Sequence, residues 1–157
     1  MTPAINLARQ QKISHKVHEY QHDPASESYG EEAAEKLGIA SVRVFKTLVV
    51  SLDGKQLAVG VIPVANQLSM KQMAKVLGAK KAAMAAPQDV ERSTGYVLGG
   101  VSPLGQKKRL PTVIDESATA YATIFISAGR RGLEIELAVE DLRRLLNGRF
   151  ARITAEI

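Results

Sequence analysis

The sequence predicts an α+β fold: a single domain in which a mixed, strongly curved or barrel-like β-sheet is flanked by helices. Three observations predict it. Apolar runs of strand length outnumber segments with helical spacing, and tight-turn residues join several of them. The 157 residues can bury one core, and no linker or low-complexity tract divides residues 1–157 into further domains.

The elements follow in order. Thr2 is placed to cap a helix with Pro3 at its first position, running to Gln11. Residues 16–22 alternate like a strand, with His18, Tyr20 and His22 on one face and Val17, Glu19 and Gln21 on the other. After Asp23-Pro24, Ser28 and Glu31 have capping-box spacing ahead of a helix that Gly38 can end. Residues 44–52 and 57–64 are strand-like runs around Asp53-Gly54, a hairpin, and Pro63 marks a strand end or an edge. Ser69 and Gln72 repeat the capping box before Met70, Met73, Ala74 and Leu77, closed by Gly78.

An alanine-rich connector leads from Lys80-Lys81 to a short helix over residues 87–92. Residues 111–115, 122–127 and 133–137 read as strands, with Gly129-Arg130-Arg131-Gly132 turning between the last two. Glu140-Asp141 begins a last amphipathic helix through Leu142, Leu145 and Leu146, with Gly148 just beyond. Residues 149–154 add a short terminal strand.

Composition limits the chemistry. With no cysteine, disulfides, thiolate metal sites and a cysteine nucleophile are excluded. A net charge of +5 favours a polyanionic partner, while 4% aromatic residues and no tryptophan argue for contact with phosphates rather than stacking platforms. No apolar run has membrane-spanning length, so no membrane partner is expected. Residues 1–6 lack the pattern of a secretory signal, which makes the cytoplasm the expected compartment.

The densest concentration of special residues is residues 93–111, S-T-G-Y-V-L-G-G-V-S-P-L-G-Q-K-K-R-L-P. Two readings stand: a rigid, backbone-lined pocket wall beside a cationic surface, or tight turns on a β-rich fold with a solvated basic patch. Lys46 shares a strand face with Val44, Leu48, Val50 and Leu52. Its ammonium either reaches water over the sheet rim or points into a cleft and binds an anion.

Other patterns fall short. His15, His18 and His22 do not share one parity, and no carboxylate completes a metal site with them. Residues 100–105 have P-loop glycine spacing, but Gln106 stands where the lysine belongs. Residues 129–132 have the G-x-x-G of a KH clamp, but strands rather than helices flank them. No serine occupies a nucleophile elbow, and no cofactor is implied.

Val44-Phe45-Lys46-Thr47-Leu48-Val49, the run from Gly95 to Gly105 with its Gly-x-x-x-Pro element at Gly99 to Pro103, and Ile126-Ser127-Ala128-Gly129 together resemble the YbaK/EbsC family. Within it the chain looks like the bacterial Cys-tRNA(Pro) deacylases, relatives of the editing insertion domain of prolyl-tRNA synthetases. The resemblance spans nearly the whole chain. It implies trans-editing of Cys-tRNA(Pro), with the Gly99 to Pro103 loop orienting the aminoacyl carbonyl and Lys46 engaging the 3′-terminal adenosine. The substrate's own thiol is implied to attack its ester, leaving as a thiolactone.

Carried over by residue, the implied site comprises Tyr20, Lys46, Gly99, Gly100 and Ser127, with Thr47, Val101, Ser102 and Pro103 as substrate contacts. Ala128 stands where relatives often have glycine. Lys107, Lys108, Arg109, Arg130 and Arg131 are the candidate tRNA contacts, and a prolyl-tRNA synthetase is the expected partner. Two alternatives are an Ala-tRNA(Pro) deacylase and a noncatalytic module that binds tRNA or the synthetase through those five cations.

Overall fold

A computed structural model describes residues 1–26 and 29–155. Helix α1 (Pro3–Gln10) begins as its sequence predicts: Thr2 Oγ1 accepts the Ile5 N–H at 3.3 Å, and Ala4, Ile5 and Ala8 are buried. Strand β1 (His15–Glu19) is followed by α2 (Tyr29–Leu37), whose proposed cap Ser28 lies outside the described residues. Strands β2 (Phe45–Leu52) and β3 (Gln56–Pro63) form the hairpin. Asp53 and Gly54 take φ of 53° and 66° at its turn, the left-handed region that makes Asp-Gly a turn pair. Strand β3 ends at Pro63 but lies in the middle of its sheet, so the proline marks an end and not an edge.

Helix α3 (Met70–Val76) has Ser69 as N-cap, accepting the Gln72 N–H at 3.2 Å. Strand β4 (Ala82–Met84) and α4 (Pro87–Thr94) come next, and then β5 (Thr112–Asp115), β6 (Thr123–Arg130), β7 (Leu133–Ala138), α5 (Val139–Leu146) and β8 (Arg149–Ala151).

The strands make two sheets rather than one. Antiparallel β1-β7-β6 faces a mixed sheet ordered β4-β2-β3-β5-β8, in which β3-β5 and β5-β8 are parallel. A parallel bridge between Val44 and Phe125 joins them at one side. Together they enclose the main core, to which β2 contributes Phe45 and Val49, β3 Val59 and Val61, and β7 Leu133, Ile135 and Leu137. The alternate residues Val50 and Leu52 pack on the outer face beneath Met73 and Ala74 of α3. Helix α2 covers the junction of the sheets with Ala33 and Ala34 against Val44, Val64 and Phe125.

Two expectations change. Strand β1 stops at Glu19, so Tyr20 and His22 do not continue one strand face. The Tyr20 N–H still bonds Gly132 O at 3.0 Å, but Glu32 then draws the chain away, accepting from His22 Nδ1 at 2.7 Å and the Asp23 N–H at 2.8 Å. The alanine-rich connector contains β4, paired on β2 from Val50↔Met84 to Leu52↔Ala82. Alanine is a poor strand former, and the Asp53 carboxylate supplies what propensity lacks by accepting the N–H groups of Lys80 and Lys81.

Candidate active site

One wall of the site is the glycine-rich loop, and its shape is set by how both ends are tied. Helix α4 ends at Gly95 in the left-handed conformation, which sends Tyr96 inward. The Tyr96 hydroxyl donates to Leu104 O at 2.6 Å, and its N–H donates to Thr94 Oγ1 at 3.1 Å. Gly100 presses on the neighbouring strand so closely that an added Cβ would stand 2.9 Å from Arg130 Cα. Its N–H closes a turn on Val97 O at 3.0 Å. Gly99 and Val101 line the cavity, and among the described residues their N–H groups have no hydrogen-bond partner.

The rest of the Gly-x-x-x-Pro element stands behind that wall. Ser102 is fully buried, its Oγ accepting the Leu104 N–H at 3.2 Å and its carbonyl accepting Gln106 Nε2 at 3.0 Å. Pro103 borders a separate shallow cleft with Leu7 and Lys108. Gly100, Ser102 and Pro103 therefore shape the loop, whereas Leu98, Gly99 and Val101 meet the cavity.

The opposite wall comes from the start of β2. Phe45, Lys46, Thr47 and Leu48 line a cavity of about 330 Å³, joined by Tyr20, Gly30, Val64, Ser127, Arg130, Arg131 and Glu134. Tyr20, Lys46, Thr47, Gly99, Val101 and Ser127 are thus brought together from four separate stretches of chain. Lys46 is half-buried, and burial lowers its pKa while the charge of Glu31 acts the other way. Of its two sequence readings, the cleft-facing one describes its place.

The Thr47 hydroxyl is buried with no hydrogen-bond partner among the described residues, an arrangement that costs stability unless a ligand completes it. Ser127 Oγ accepts the Gly129 N–H at 3.1 Å, and among the described lining residues there is no histidine to serve it as a base. Burial, then the charge of Glu134, raises the Tyr20 hydroxyl to about 12, so it stays a neutral donor.

Glu134 is the lining residue that sequence reading misses. Strand alternation puts it opposite Leu133, Ile135 and Leu137, a face that ordinarily meets water. Here that face closes the cavity: Glu134 is 6% exposed, is register-paired with Ser127, and has no ion-pair partner among the described residues. Burial raises its carboxyl to about 8. Hairpin counting from the turn at Arg131-Gly132 would set Glu134 across from Gly129, and it is the register shift between Ser127 and Arg130 that sets it across from Ser127, so simple alternation does not reveal the pairing.

The five candidate tRNA cations separate into two places. Arg130 and Arg131 stand at the cavity, Arg131 Nη2 donating to Leu98 O at 3.3 Å. Lys107 and Lys108 run back along the end of α4, with N–H groups on Thr94 O and Ser93 O, and Arg109 Nη2 reaches Leu145 O of α5 at 3.5 Å.

Residues 22–145 match the aminoacyl-tRNA editing domain. The chain belongs to that family. This editing domain is 43% identical over 155 residues to the Enterococcus faecalis protein named "Putative Cys-tRNA(Pro)/Cys-tRNA(Cys) deacylase EbsC", covering 99% of this chain and 94% of that one. It is 28% identical over 102 residues to a proline-tRNA ligase of Acidithiobacillus ferrooxidans, covering 65% of this chain and 18% of the ligase. Its fold matches a crystal structure described as "a putative trans-editing enzyme for prolyl tRNA synthetase", with a TM-score of 0.86, 23% identity and coverage of 98% and 96%. Aminoacyl-tRNA editing, the removal of an amino acid from tRNA, is the activity of this family.

Proposed function

We propose that this editing domain deacylates Cys-tRNA(Pro) and that the substrate's thiol performs the attack. The observation that carries the reading is one cavity that combines a backbone wall at Gly99 and Val101, the Lys46 ammonium and a Thr47 hydroxyl without a hydrogen-bond partner among the described residues, with no cysteine or histidine among the described lining residues. Lys46 holds the anionic 3′-nucleotide end, the loop N–H groups orient the ester carbonyl, and Tyr20 and Ser127 offer hydroxyl donors around the ribose.

The sulfur of the cysteinyl group attacks its own carbonyl carbon. A C–S bond forms, the C–O bond to the ribose breaks, and cysteine leaves as a four-membered thiolactone. The thiol proton ends on the ribose oxygen, where the neutral carboxyl of Glu134 can support its transfer. Because nucleophile and ester share one molecule, positioning alone supplies much of the rate, and proline, having no thiol, is spared. A prolyl-tRNA synthetase supplies tRNA identity in this reading, consistent with the relationship to a proline-tRNA ligase.

A deacylation panel over Cys-, Ala- and Pro-charged tRNA(Pro), with Ser-tRNA(Pro) as the thiol-to-hydroxyl replacement, tests it. Turnover of the Cys ester alone is expected. Equal turnover of the Ala or Ser ester overturns thiol assistance, and tRNA binding with no turnover identifies a noncatalytic module instead. Lys46→Ala should lower kcat/KM for the Cys ester by roughly 10- to 100-fold, the scale of one charge-assisted contact.

A further inference from the structure

The turn that forms the backbone wall also exposes two adjoining apolar side chains, of which Leu98 lines the cavity. Val97 is 63% exposed and Leu98 45%, and among the exposed large hydrophobic residues they are the two that adjoin in sequence. Leu98 lines the cavity and Val97 stands one residue outside it. Single exposed aliphatic residues are ordinary on a protein surface, but this pair is held in place. The Gly100 N–H closes the turn on Val97 O, Arg131 Nη2 grips Leu98 O, and Gly100 is seated on the Arg130 backbone.

The chemistry at the mouth is therefore an aliphatic ledge with two guanidinium groups beside it. A flat heteroaromatic ring with an anionic linker on each side is complementary to that combination, because the ring covers apolar surface while the arginines face phosphate. The cavity, at about 330 Å³, is at the small end of sites that enclose a whole ligand, so one aminoacylated nucleoside fills it. The nucleotide before it in the strand must leave through the mouth, past Leu98, Arg130 and Arg131.

We propose that the Val97–Leu98 tip is the platform for the base of the nucleotide preceding the aminoacylated one, with Arg130 and Arg131 on the adjoining phosphates. The proposal rests on the ester-cleaving reading above and adds a recognition element to it. An aliphatic ledge offers no hydrogen bond to a base edge, so the contact senses that a base is present and not which base it is.

The test uses an RNA hairpin that mimics the acceptor stem, charged with cysteine, with the penultimate nucleotide intact, exchanged for each other base, or abasic. For the wild-type protein, base exchange should leave kcat/KM within about twofold, and the abasic substrate should lose about five- to tenfold, chiefly through KM. In Val97→Ser that abasic penalty should shrink to about twofold. Val97 is exposed, so its replacement should leave the melting temperature unchanged. Equal turnover of abasic and intact RNA, or a penalty of full size in Val97→Ser, overturns the platform alone. No turnover of the intact ester overturns the ester-cleaving reading and the platform with it.

Discussion

Glu134 is buried and makes no ion pair among the described residues, so burial opposes its ionisation and its carboxyl holds a proton up to about pH 8. Two effects of pH follow. The unfolded chain releases this proton near 4.5 and the folded chain near 8, so between those values the folded state binds more protons, and stability falls as pH rises across that window. Glu134→Gln should flatten that decline in denaturation midpoints measured from pH 5 to 8. If the neutral carboxyl assists ester cleavage, wild-type kcat/KM should also fall above about pH 8 by a step that the Gln variant lacks. Thr47 offers a complementary test. Its buried hydroxyl has no hydrogen-bond partner among the described residues, so Thr47→Val should leave the free protein as stable or up to ~1 kcal/mol more stable while lowering kcat/KM for the ester. Thermal melts alongside kinetics check both halves, and a loss of stability without loss of activity would contradict the assignment.

At the scale of elements, helix α2 and the chain after β1 are locked together by one buried acid. Burial opposes ionisation of Glu32, but hydrogen bonds from His22, the Asp23 N–H and Lys36 outweigh it and hold the carboxyl at about 2. The carboxylate form is favoured by folding, so the stabilisation is complete above about pH 4.5 and is lost as pH falls toward 2. Glu32→Gln should cost roughly 1–3 kcal/mol at neutral pH and reduce the acid-side loss, as urea denaturation at pH 7 and pH 3 would measure. Gly100→Ala places a methyl against backbone, which cannot swing aside as a side chain can, so the loop must shift. A loss of about 100-fold in kcat/KM is expected with a small change in melting temperature, because the shifted segment is the cavity wall. Much of this level was legible in the sequence. Thr2 and Ser69 cap their helices through local side-chain chemistry, and Asp53-Gly54 turns the hairpin by backbone preference. Strand β4 was not, because its alanines are held by β2 and Asp53, partners distant in the chain. The early end of β1 was hidden for the same reason, since Glu32 decides it.

Across the whole molecule, sequence periodicity placed Lys46 on the correct strand face but could not say that the second sheet, α2 and the loop would close a cavity over its end. The basic residues show the converse. Lys107, Lys108 and Arg109 follow the glycine loop immediately in sequence, yet their backbone turns along α4 and toward α5, whereas Arg130 and Arg131 reach the cavity from a different hairpin. Adjacency in the chain set Lys107, Lys108 and Arg109 beside the pocket wall, whereas in the fold it is Arg130 and Arg131 that line the cavity. The two sets should separate experimentally. Contacts at the cavity act on the terminal nucleotides, so Arg130→Ala should lower turnover of a cysteinyl ester carried on a short oligonucleotide as much as on full-length tRNA. Lys108→Ala and Arg109→Ala can act only on phosphates farther along the RNA, so they should raise KM for full-length tRNA and leave the short ester unchanged. Each lost phosphate contact should also reduce the slope of log affinity against log salt by about 0.9 on duplex RNA, taking the B-DNA value as the guide. Anisotropy titrations of tRNA from 50 to 300 mM salt would read that slope. An unaltered slope in the Lys108 and Arg109 variants would remove this second patch from the tRNA path and leave Arg130 and Arg131 as the cationic contact.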